Sequence, residues 1–155
     1  MRQLRRQFLK LTGSASVLTA AVSAGLLKSG NALASTWNKA GFESKSVVDI
    51  QKSLGATSMT DSKNITITAP DIAENGAIVP VAVTSKIPNT QSITIIAEKN
   101  PFPLAASFEI SGGGEGYVST RVKMGQTSNV RAIVKADGKF YTAVKEVKVT
   151  VGGCG

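Results

Sequence analysis

The 155-residue chain contains no histidine and only one cysteine. Imidazole and thiolate are the usual ligands of protein-bound zinc and copper, and thiolates hold iron–sulfur clusters, so their scarcity argues against any such dedicated site. It also excludes Ser-His-Asp and Cys-His catalysis within the chain. Carboxylates are few, Asp and Glu totalling 10, and none is clustered at metal-ligand spacing. No apolar run reaches the roughly 18–20 unbroken residues that a membrane-spanning helix requires. The expectation is a chain without metal, cofactor or catalytic centre of its own.

Near the N-terminus, Leu4-Arg5-Arg6-Gln7-Phe8-Leu9-Lys10 reads as a twin-arginine export signal. The apolar run that follows, from Leu11 to Leu27, is diluted by Thr12, Gly13, Ser14, Ser16, Thr19, Ser23 and Gly25, and Ala32-Leu33-Ala34 offers a small-residue cleavage site before Ser35. A signal peptide over 1–34 is therefore expected, leaving a periplasmic mature chain of 35–155 with no membrane attachment. Its removal changes the charge argument. Arg2, Arg5, Arg6, Lys10 and Lys28 account for five of the 18 basic residues, so thirteen remain against ten acidic ones, a net +3 in place of +8. So small a charge, with both signs interspersed, leaves no footprint for nucleic acid or anionic lipid. Twin-arginine transport carries folded proteins, and with no cofactor to load, the expected reason is a second subunit that crosses bound to this one.

Between 35 and 151 the pattern is that of one domain. Val47, Ile50 and Leu54 share a helical face, Ser46 and Asp49 have capping-box spacing and Gly55 is a stop, which predicts a short helix over 43–54. Ser35 to Gly41 is its expected loose lead-in, with Trp37 and Phe42 as packing anchors. From Asn64 onward apolar residues alternate with period two, predicting strands at 65–68, 78–85, 92–98, 104–110, 117–124, 129–135 and 140–151. Turn signals separate them, the strongest being Asp137-Gly138, which tolerates the positive φ angles of a two-residue hairpin. Seven short strands without long helices predict an all-β fold with a short N-terminal helix, an immunoglobulin-like antiparallel β-sandwich. The run from Gly112 to Gly116 lacks the Lys-Ser/Thr of a phosphate loop and precedes a strand, so it reads as a flexible connection. Pro80 within a strand predicts an edge position or a bulge, and an edge there is a place for a partner to dock.

The sequence closes on Val151-Gly152-Gly153-Cys154-Gly155. Free cysteine is normally a buried residue, but this one has glycine on both sides and nothing beside it to pack against. The final strand is expected to pin the chain as far as Val151. Beyond it four residues reach on the order of 13 Å when extended, on an arm as thin as a polypeptide can be. Such a thiol suits a covalent carrier, or a disulfide cross-link between two copies. Lipidation fits worst, because Cys154 is not fourth from the end as a prenylation box requires.

The twin-arginine leader, the early helix, the Asn100-Pro101 turn, Ala136-Asp137-Gly138-Lys139-Phe140-Tyr141, Lys145-Glu146-Val147-Lys148-Val149-Thr150 and the glycine-flanked Cys154 occur in an order that resembles the SoxY family. These are the sulfur-carrier subunits of the thiosulfate-oxidising Sox system. The family pattern closes Gly-Gly-Cys-Gly-Gly, whereas this sequence stops at Gly155. The resemblance implies that Cys154 bears the covalent sulfur adducts and that Gly152, Gly153 and Gly155 form the flexible arm. It also implies an immunoglobulin-like fold, a heterodimer with a SoxZ-like subunit, and transient visits to SoxAX, which joins thiosulfate to the cysteine oxidatively, to SoxB, which releases sulfate, and to further sulfur-oxidising enzymes. A disulfide-linked homodimer remains the side reaction to expect of an exposed thiol.

Overall fold

The computed structural model describes residues 37–151; the expected signal peptide over 1–34 and residues 152–155 lie outside them. Two short helices come first. In α1 (Lys39–Glu43) the Asn38 side chain caps the first turn, accepting from the Gly41 amide at 3.0 Å. In α2 (Val47–Leu54) the Ser46 hydroxyl accepts from the Asp49 amide at 3.1 Å and donates to the Asp49 carboxylate at 2.7 Å, while Gly55 closes the helix at φ 72°. The single helix expected over 43–54 is thus corrected. Ser44 turns extended at ψ 141° and donates its hydroxyl to the Ala40 carbonyl at 2.6 Å, which ends one helix before Ser46 starts the next. The lead-in expected to be loose supplies α1. Trp37 and Phe42 stack with ring centroids 4.2 Å apart, but only Phe42 reaches the core, and Trp37 stays 66% exposed.

Nine strands follow: β1 (Met59–Asp61), β2 (Ile65–Thr68), β3 (Ile72–Ala73), β4 (Val79–Ser85), β5 (Thr90–Ala97), β6 (Leu104–Glu109), β7 (Tyr117–Val122), β8 (Ser128–Ala136) and β9 (Lys139–Val149). The seven expected strands are all present, with ends shifted by at most two residues. The larger sheet runs β1-β9-β8-β5-β6, with β3 also on the outer edge of β9, and the smaller runs β2-β4-β7. Together they make an immunoglobulin-like β-sandwich. One correction concerns direction. β1 and β3 pair with β9 in parallel, Met59 opposite Phe140 and Ile72 opposite Lys148, while the chain crosses between them to place β2 in the other sheet.

Period-two alternation explains the sandwich interior: Val79, Val81 and Val83 of β4 face Ile93, Ile95, Val130 and Val134 of β5 and β8, all essentially inaccessible. Each such side chain contributes about 1.5–3 kcal/mol relative to exposure. β5 departs from alternation because it is covered on both faces. Ile96 joins Leu104, Ile133 and Ile50 in a second cluster, where α2 lies on the outside of the larger sheet.

The turn chemistry is used as expected at Asp137-Gly138, where φ values of 48° and 72° close a two-residue hairpin between Ala136 and Lys139. Pro80 is corrected: it lies in the central strand of the smaller sheet, opposite Arg121. Proline is tolerated there because β2 pairs β4 only from Ala82 to Ser85, leaving Pro80 with a neighbour on one side.

The glycine run connects β6 to β7 with Gly112 and Gly113 at positive φ, and ends on a tight approach in which the Ser85 amide donates to the Gly116 carbonyl. A Cβ at Gly116 would stand 2.6 Å from the Ser85 carbonyl oxygen. That oxygen is main chain and held by a sheet, so it cannot give way cheaply. Gly116→Ala is expected to cost about 1–3 kcal/mol, as overpacking does. Thermal unfolding should register it as a fall in Tm of roughly 4 °C or more per kcal/mol for a domain of this size. An unchanged Tm would show that this approach is looser than it looks.

Candidate functional site

The expected site residues Cys154, Gly152, Gly153 and Gly155 lie outside the described residues. What the structure defines is the ground from which they depart. Val147 is fully buried and Val149 packs partly against the same core, so side-chain burial anchors β9 that far. Thr150 and Val151 are exposed, and hydrogen bonds take over.

The Val149 amide donates to the Thr127 hydroxyl at 3.0 Å, the Thr150 amide to the Ala73 carbonyl at 3.1 Å, and the Thr150 hydroxyl to the Glu74 carbonyl at 3.2 Å. The Gly76 amide then donates to the Val151 carbonyl at 2.8 Å, while the Gly76 carbonyl accepts from the Met124 amide at 2.7 Å. Asn75 stabilises the bend by accepting from the Ala77 amide at 2.8 Å. Each solvent-facing bond is worth about 0.5–1.5 kcal/mol net, and their sum holds the backbone as far as Val151. The expectation that the chain is pinned there is met, with a correction in means. The strand stops at Val149, and the Val151 side chain, 63% exposed, is not what anchors it.

The same end of the sandwich gathers the connections β3–β4, β5–β6 and β7–β8, because the antiparallel order places the end of β9 beside the starts of β8 and β4 and the ends of β5 and β7. Side-chain bonds tie these loops together. The Asn100 amide nitrogen donates to the Lys123 carbonyl at 2.6 Å, its oxygen accepts from the Gly125 amide at 3.3 Å, and the Ser128 hydroxyl accepts from the Lys99 amide at 3.0 Å. Glu98 is already engaged, receiving Arg131 Nε at 2.7 Å and the Asn129 side chain at 3.1 Å in a largely buried cluster. Sequence reading singled out the Asn100-Pro101 turn but missed the residues that hold the tail, Ala73, Asn75, Gly76 and Thr127. The Asn75-Gly76 pair was an available turn signal; a two-residue strand such as β3 has no period to detect.

Elsewhere, open hollows among the described residues include three of about 350, 440 and 550 Å³. The first lies between α2 and the larger sheet, with Glu109 and Lys135 as its charged groups, and the third holds Asp61, Lys63 and the solvent side of Arg131. None of the three touches the origin of the tail. Among the described residues no three His, Cys, Asp or Glu side chains are grouped to hold a metal, and no described helix is long and apolar enough to cross a membrane.

The class defined here is an immunoglobulin-like sandwich domain whose last strand delivers the chain, firmly held, to a short terminal segment at one end. The family model of the sulfur oxidation protein SoxY matches residues 50–154, a span that includes Gly152, Gly153 and Cys154, and the chain belongs to the SoxY family. Among solved structures, it is similar to the sulfur carrier protein SoxY from Chlorobium limicola f thiosulfatophilum, with 42% identity and a TM-score of 0.59 over 67% of this chain and 96% of that one. The human F-spondin reeler domain matches at 10% identity and a TM-score of 0.42 over 57% of this chain and 92% of that one. The PKD domain of an M14-like peptidase from a Thermoplasmatales archaeon matches at 20% identity and 0.37 over 55% and 91%. No curated protein matches.

Proposed function

We propose that this chain is a periplasmic covalent carrier of sulfur in thiosulfate oxidation, exported by its twin-arginine signal, with Cys154 as the attachment point and Gly152, Gly153 and Gly155 as its arm. The observation that carries the reading is that the family match runs through residue 154, the position of the chain's one thiol. The held origin at Val151 supports it, since a carrier needs a fixed base and a free end.

The chemistry divides between this chain and its partners. A haem enzyme of the SoxAX type takes two electrons as the Cys154 thiolate and the outer sulfur of thiosulfate join through a new S–S bond, giving Cys–S–S–SO3⁻ with no atom lost. Water then attacks the terminal sulfonate in a SoxB-type hydrolase, releasing sulfate and two protons and leaving the persulfide Cys–S–S⁻. Cys154 is the handle in each step and is not a catalyst. A SoxZ-like subunit is the heterodimer partner and the passenger in folded export.

The test is intact-mass measurement of the protein isolated from cells oxidising thiosulfate, with and without reductant. Thiosulfonate and persulfide adducts on Cys154, both removed by reductant, are the expected result. A species of twice the reduced mass less two hydrogens, with no sulfur adduct, would replace the carrier by an exported module that dimerises through an intermolecular disulfide.

A further inference from the structure

Resting on the carrier reading, we propose that the loop end of the sandwich from which the tail departs is the docking face for the enzymes that act on Cys154, and that it selects partners with an acidic rim around the entrance to their site. Reach makes the first half of the argument. Cys154 stands three residue steps beyond Val151, about 10 Å of fully extended chain. Val151 is fixed to Gly76, so a reacting site that receives the Cys154 sulfur cannot stand farther off than that. A partner enclosing its own reactive groups must therefore rest on the loops around Val151.

Charge makes the second half. Lys99, Lys123 and Lys148 are exposed in the β5–β6 loop, the β7–β8 loop and the end of strand β9, and none is ion-paired among the described residues. The carboxylate of Glu98 is taken up by Arg131 and Asn129, and that of Asp71, whose carbonyl accepts from the Lys148 amide, is paired with Lys145 at 3.0 Å, which leaves Glu74, and Glu146 one pleat farther from the end, as the nearby exposed acids without an ion pair among the described residues. The opposite end is balanced, Lys86 and Lys139 standing with Glu115 and Asp137. At the tail end exposed apolar side chains accompany the lysines, Ile78 at 60%, Phe102 at 54% and Val151 at 63%, whereas the opposite end presents Tyr117 at 49%. Apolar groups for the centre of a contact and unpaired cations for its margin are what a transient docking surface needs. The cations raise the encounter rate with an acidic partner and do little for a neutral one.

The experiment uses the full exported chain, together with any subunit that co-purifies with it, loaded chemically with tetrathionate. The Cys154 thiolate displaces thiosulfate from tetrathionate and forms Cys–S–S–SO3⁻ without an enzyme. Sulfate release by a purified SoxB-type hydrolase is then followed against ionic strength. For the combined variant Lys99→Glu, Lys123→Glu, Lys148→Glu, kcat/KM at low salt is expected to fall at least tenfold and to lose the decline with salt that the parent shows. Lys86→Glu, Lys139→Glu, which alters net charge at the far end, is expected to stay within about twofold. Alkylation of the unloaded thiol by iodoacetamide should not differ between these proteins. Equal kcat/KM for the two sets of variants overturns the docking face and leaves the carrier reading intact. Failure of the hydrolase to act on the loaded parent chain overturns the carrier reading and the docking face with it.

Discussion

Cys154→Ser is expected to lose all sulfur loading while unfolding at the temperature of the parent protein. Every adduct in the proposed cycle is bonded through the Cys154 sulfur. A serine hydroxyl can form neither the S–S bond of the thiosulfonate nor that of the persulfide, and no other cysteine exists in the chain to substitute. Stability should be indifferent, because both core clusters and the bonds that hold the tail are complete within residues 37–151. Substitutions away from such features normally change stability by no more than about 0.5 kcal/mol. Intact mass after treatment with tetrathionate, and thermal unfolding of the same samples, report the two halves separately. Persistent loading in the variant would remove Cys154 from the mechanism. A large fall in Tm would show the Cys154 side chain packed against the sandwich, contrary to a free handle.

The sandwich was readable because its long strands are half-buried and each carries its own period. β4 alternates over seven residues, from Val79 to Ser85, and no tertiary information is needed to see it. β1 and β3 escaped for the opposite reason. At three and two residues they owe their conformation to β9, more than 70 residues away, and their parallel pairing leaves no hairpin signal. Pro80 misled in a related way. Edge character is local to a residue, and the early end of β2 pairing makes an edge inside a central strand. At the candidate site, sequence supplied the chemistry and the tail's composition, since a lone thiol between glycines is visible without coordinates. It could not supply what fixes the tail's origin, because those bonds come mostly from main-chain groups of Ala73, Glu74 and Gly76, and a main-chain donor carries no mark in the sequence.

The second large effect is expected from thickening the arm. Gly152→Val and Gly153→Val each add a branched side chain, and two opposing consequences can be weighed. Valine restricts the free backbone more than glycine does, which lowers the ordering cost of docking by roughly 0.5–1 kcal/mol per position and by itself favours faster capture. Against this, a channel that admits a glycine backbone closely has no room for a Cβ with two methyls. Displacing the sulfur by even about 1 Å from its productive position can cost on the order of 10²-fold in rate, or roughly 2.7 kcal/mol. Steric exclusion is therefore expected to dominate, with kcat/KM for enzymatic sulfate release down by about 10²-fold in the double variant. Chemical loading by tetrathionate, which needs no channel, should be nearly unaffected. Gly153→Ala discriminates further, since one methyl tests width while sparing most of the bulk, and an intermediate rate is expected. If the valine variants turn over as fast as the parent or faster, then entropy rather than width limits the visit, and the partners' sites are open clefts instead of channels fitted to a bare backbone.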